Sequence, residues 1–190
     1  MTTPKIAEVR LTPNQDRGEW QQVTPGERFK IRVSSAQTMG AYSVLEIVAD
    51  PGNGVPLHIH SKEEEHFIVV EGMLDIANGD RRWDAPAGTS VTVRRGVPHA
   101  WCNSSDTPLR MLVIFSPGQI EGLFRTAAGV DDVDKITAIA ARYGTKLVGP
   151  PLHGTAHSIH SPQPKGWPTL MRRGDGDAAL PAAFTRQVSR

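Results

Sequence analysis

Between Arg28 and Phe115 the chain consists of short apolar runs separated by turn chemistry, and this pattern most constrains the fold. The runs fall at residues 28–34, 41–49, 56–60, 65–71, 73–77, 81–84, 89–93, 98–102 and 109–115. The separators are Asp50-Pro51-Gly52-Asn53-Gly54, Asn78-Gly79-Asp80, Ala85-Pro86-Ala87-Gly88, Arg95-Gly96 and Asn103-Ser104-Ser105-Asp106. Glycine there supplies positive φ, proline presets φ, and Asn, Asp and Ser bond back to their own backbone. Asn78-Gly79 between two runs is a hairpin signal. Many short strands with no helical period between them predict an all-β sandwich or small barrel. The 18 glycines and 15 prolines among 190 residues add to the case against a helical bundle.

The pattern changes after Phe115. Ile120–Ala128 and Val133–Tyr143 carry helical spacing, with Val133, Ile136, Ile139 and Ala140 on one face. Asp131, Asp132 and Asp134 suit a helix start and Gly144 a stop. One domain is expected at this length. Residues 1–27, broken by Pro4, Pro13 and Pro25, read as an N-terminal arm, an edge strand or a docking segment. Residues 28–149 read as the β-domain with one or two C-terminal helices. Residues 150–190, with six of the prolines and a basic excess, read as a flexible tail.

Charge and cysteine content exclude several classes. Lys and Arg number 21 against 20 Asp and Glu, a balance unlike that of a strongly basic nucleic-acid binder. The single cysteine, Cys102, allows no intrachain disulfide and no cysteine-based zinc site. No segment reads as a secretory signal or a membrane span, so a cytoplasmic protein with no membrane partner is expected. A Gly-rich phosphate loop and a Gly-x-Ser-x-Gly elbow are both absent.

The chemistry-bearing residues are His58, His60, Glu65 and His99. On a strand, alternate side chains share a face, so His58 and His60 point the same way around Ile59. A carboxylate after a gap of four residues and a third imidazole on a later strand can complete a set around one ion. Three nitrogens and one oxygen suit a divalent Fe, Mn, Ni, Co or Zn. Taken alone, a His-x-His pair is ordinary polar surface, and Lys62-Glu63-Glu64-Glu65 reads as a solvated charge run. Glycines and prolines around the histidines, and the apolar strand that Glu65 opens, favour the metal reading. Phe67 follows Glu65 by two and Trp101 follows His99 by two, so both are candidate substrate-binding residues, with core packing as the alternative. His66 alternates away from Glu65 and is excluded as a ligand. Cys102 reads as a buried apolar residue rather than a nucleophile. His153, His157 and His160 fall in the tail.

The stretch with Gly52, His58, His60, Glu65 and Gly72 at its fixed positions resembles the first motif of the cupin superfamily. The stretch from Gly88 through Gly96 and His99 to Asn103 resembles the second, with Arg94 where that family prefers proline. The wider segment 28–152 resembles single-domain cupins of the quercetin-dioxygenase type. The resemblance implies a small cupin, or jelly-roll, barrel with His58, His60, Glu65 and His99 as metal ligands. It further implies a metal-dependent dioxygenase acting on a flavonol or another enolisable aromatic. The substrate's enolate oxygen would sit on the metal, with Glu65 as catalytic base for the hydroxyl proton. Dioxygen would add, and the ring would open with loss of carbon monoxide. The alternatives are a metal-dependent isomerase, lyase or decarboxylase, and a non-catalytic small-molecule-binding cupin. Expected partners are a small-molecule substrate, dioxygen and a second copy of the chain in a homodimer.

Overall fold

The computed structural model describes residues 19–78 and 81–152. Among these, strands dominate: β1 (Gln21–Gln22), β2 (Glu27–Val33), β3 (Ser43–Ala49), β4 (Pro56–His60), β5 (Glu64–Glu71), β6 (Met73–Asn78), β7 (Arg81–Pro86), β8 (Ser90–Val93), β9 (His99–Cys102), β10 (Leu109–Ser116) and β11 (Thr145–Pro151). Helices α1 (Glu121–Ala127) and α2 (Val133–Arg142) lie between β10 and β11. One sheet runs β1-β2-β3-β10-β5-β8 and the other β11-β4-β9-β6-β7. Every strand pairing is antiparallel. This is the expected all-β barrel with two short helices near its C-terminal side.

Period-two alternation builds the core. In β10, Leu109, Met111, Val113 and Phe115 are buried while the residues between them are only partly so. They meet Phe29, Leu45, Ile47, Phe67, Val69, Leu74, Ile76 and Trp101 between the sheets. Each such large apolar side chain removed from water contributes about 1.5–3 kcal/mol. A second, smaller cluster of Ala77, Ala100, Cys102 and Leu152, with Leu57 against it, is separate from the main core. Cys102 is therefore buried in this small cluster, with the Arg82 guanidinium 3.9 Å from its sulfur, while Trp101, its neighbour in β9, belongs to the main core.

Several element limits differ from expectation for local reasons. The second run starts at Ser43 rather than residue 41, because a 3-10 turn at Ser35–Thr38 is followed by Met39 and Gly40, both at positive φ. A 3-10 turn at Gly118–Ile120 likewise precedes α1. In α2, Asp132 is the N-cap, its Oδ1 accepting from the Asp134 and Lys135 amides at 3.0 and 3.1 Å. Asn78 pairs with Arg81, as the hairpin signal requires. Gln21 and Gln22, in the expected arm, form an edge strand on β2. β11 was not anticipated. It pairs with β4, and its last residues, Pro150 and Pro151, with the buried Leu152 after them, lie past the expected start of the tail. The arm up to residue 18, the tail from residue 153, and His153, His157 and His160 lie outside the described residues.

Candidate metal centre

Strand pairing assembles the site. His58 and His60 alternate inward on β4, and His58 is the direct cross-strand partner of His99 on β9. Glu65 comes from the opposite sheet, on β5, opposite Phe115 of β10. All four are buried, and one ligand atom from each lies within 4.8 Å of all the others. His99 Nε2 is 2.7 Å and His60 Nε2 3.2 Å from Glu65 Oε2. The two Nε2 atoms of His58 and His60 are 3.1 Å apart. The apparent charge run also resolves: Glu63 and Glu65 are buried, at 2% and 4% exposure, so it is not a solvated face.

The far nitrogens decide what these imidazoles can bind. His58 Nδ1 lies 2.7 Å from the Pro56 carbonyl, and His99 Nδ1 3.0 Å from that of Val97. A carbonyl only accepts, so each Nδ1 carries a proton and donates it. In the neutral ring, Nε2 then holds a lone pair aimed into the site, as a ligating imidazole requires. His60 Nδ1 lies 2.9 Å from Thr145 Oγ1.

Electrostatics point the same way. Burial, then the neighbouring His99 and His60, push His58 down to about 3, so it stays neutral at neutral pH. Burial alone would raise the Glu65 carboxyl, yet hydrogen bonds from His60 and His99 hold it well below the usual carboxylate range. Burial would lower His99, but the Glu65 carboxylate outweighs it and raises the group. A buried carboxylate beside converging nitrogens calls for positive charge, met by a proton on His99 or by a cation. The donor set fits a divalent first-row ion: these four residues could hold one, with Glu65 supplying the anionic oxygen.

Other candidates are placed as follows. Phe67 and Trp101, 0% and 2% exposed, pack in the main core. His66 faces away from the ligands and bonds Thr92 Oγ1 at 2.9 Å. Sequence reasoning missed Phe115, whose ring stands edge-on to His60 at 5.7 Å between centroids. Thr145 was missed as well. Only the cross-strand registers Phe115 with Glu65 and Thr145 with His60 could have found them.

Residues 45–115, which hold all four candidate ligands, match the cupin domain family. The segment that holds the candidate ligands is therefore similar to a cupin domain. A solved structure, KdgF from Halomonas sp., shares the barrel's fold with a TM-score of 0.50 and 18% identity, over 55% of this chain and 90% of that one. Two curated proteins are 25% identical over 99 residues, or 52% of this chain: mannose-1-phosphate guanylyltransferase 2 of Escherichia coli O157:H7 and the xanthan biosynthesis protein XanB of Xanthomonas campestris pv. campestris (strain B100). The matched stretch spans 18% of the length of each of those proteins. No described helix is long and apolar enough to cross a membrane.

Proposed function

We propose that this cupin is a metal-dependent enzyme acting on a small organic molecule, specifically a dioxygenase for a flavonol-like or otherwise enolisable aromatic substrate. The reading is carried by the convergence of three imidazole nitrogens and one carboxylate oxygen within 4.8 Å in a buried site. Its dioxygenase part rests on the resemblance to quercetin-dioxygenase-type cupins. A divalent first-row ion held by His58, His60, Glu65 and His99 would supply Lewis acidity that stabilises an enolate. The remaining steps belong to the chain. Glu65, ionised at neutral pH, accepts the substrate's hydroxyl proton as general base. The carbonyls of Pro56 and Val97 keep the His58 and His99 rings in one orientation throughout. Phe115 stands edge-on beside His60, and Phe67 and Trp101 follow two residues after Glu65 and His99, with their side chains packed in the main core.

The test is metal analysis of freshly purified protein followed by an oxygen-electrode screen of flavonols and other enolisable aromatics. The expected results are close to one divalent ion per chain, and oxygen uptake that matches substrate loss and stops when a chelator strips the metal. Turnover without oxygen uptake would replace the dioxygenase with an isomerase, lyase or decarboxylase using the same ligands. Binding without turnover would make the chain a non-catalytic small-molecule binder.

A further inference from the structure

The three imidazoles differ in what holds the nitrogen facing away from the site. For His58 and His99 it is a main-chain carbonyl, which any residue would supply. For His60 it is a side chain, the Thr145 hydroxyl at 2.9 Å. A hydroxyl can accept from Nδ1 or donate to it, so this residue, and not the backbone, decides whether Nε2 of His60 is free. Thr145 is 5% exposed and opens β11 as the register partner of His60. Gly144, at φ 84°, turns the chain into that strand. Its carbonyl accepts from the Ser61 amide at 3.0 Å and from Ser61 Oγ at 2.8 Å. The residue before Thr145 is thus held by two bonds from Ser61, the residue that follows His60, which keeps the start of β11 beside the His60 ring.

We propose that Thr145 is a positioning residue of the metal site: its hydroxyl accepts the Nδ1 proton of His60, fixes the ring plane and leaves Nε2 free to ligate. All four ligands lie within residues 45–115, whereas Thr145 lies beyond them, so β11 completes the site from outside the matched domain. This rests on the reading of His60 as a metal ligand. Without the hydroxyl, a buried Nδ1–H has no acceptor, and loss of such an outer partner typically weakens metal binding about 10- to 100-fold.

The experiment compares wild type, Thr145→Val and Thr145→Ser, using zinc as a diamagnetic probe. Zinc affinity is read by competition with a chromophoric chelator, and the His60 ring protons by NMR of the zinc-loaded chain. Thr145→Val should bind zinc about 10- to 100-fold more weakly, while Thr145→Ser restores affinity to within a few-fold. In wild type, a protected Nδ1 proton of His60 should show a nuclear Overhauser contact to the Thr145 side chain. Equal affinity in the valine variant, or no such proton in wild type, overturns the proposal. The proton measurement decides it even if the valine variant does not fold. A wild type that takes up no zinc would instead overturn the metal reading itself.

Discussion

His58 and His99 each donate Nδ1–H to a main-chain carbonyl, so removing either ring deletes a ligand without freeing an alternative one. Replacing His58, His60 or His99 with alanine should each strip the metal, read as metal per chain after gel filtration; near-stoichiometric metal in all three variants would move the site elsewhere. Glu65→Gln keeps the shape but removes charge and basicity. We expect a modest loss of metal affinity and a turnover loss on the order of 10²-fold or more at full metal loading. Rates near wild type in the reloaded variant would end the general-base role. Away from the site, burial pushes Glu27 up from 4.5 to about 7 against a lowering 3.4 Å hydrogen bond from Thr24. The folded chain therefore holds a proton there that the unfolded chain has released, and stability falls as pH rises from about 4.5 through 7. That loss amounts to about 3 kcal/mol in total. Glu27→Gln should flatten this part of the pH–stability curve and raise the melting temperature at pH 8; an unchanged curve would show that the carboxyl ionises freely in the fold.

The strand that carries His99 is held from an unexpected side. Gly54 bridges Cys102, and a Cβ at Gly54 would stand 2.4 Å from the Trp101 carbonyl oxygen and 2.6 Å from Cys102 Cβ. Backbone cannot move aside as a flexible side chain can. Gly54→Ala should therefore destabilise the chain by about 1–3 kcal/mol and weaken metal retention through β9, measured by thermal melting and metal content. A variant as stable as wild type would mean that the loop before β4 yields freely. At this scale much was legible in advance. Short apolar runs bounded by turn residues marked β2 through β10, and Asp132 and Gly144 marked the ends of α2. β11 was not legible: its sequence, TKLVGPP, ends in a glycine and two prolines and carries no clean alternation. Prolines are tolerated in it because β11 is an edge strand, paired only with β4.

For the whole molecule, the boundary that matters lies after Leu152, which packs with Leu57, Ala77, Ala100 and Cys102. The sequence beyond it is proline-rich and lacks hydrophobic periodicity. Truncation after Leu152 should leave folding cooperativity and metal content unchanged; aggregation or metal loss would show that the tail packs on the barrel or on a second copy. By itself the sequence determined the barrel class, the strand positions and the four candidate ligands. Those signals are local: a turn needs particular residues within four positions, and a strand's inward face repeats every two. Tertiary structure alone decided which strands lie side by side, and hence that His58 faces His99, that Glu65 reaches them from the other sheet, and that Phe115 and Thr145 stand against His60. Thr145 is 85 residues from His60 along the chain. Contacts at that separation follow from strand order and register, which depend on the packing of the whole core and leave no periodic trace in either segment.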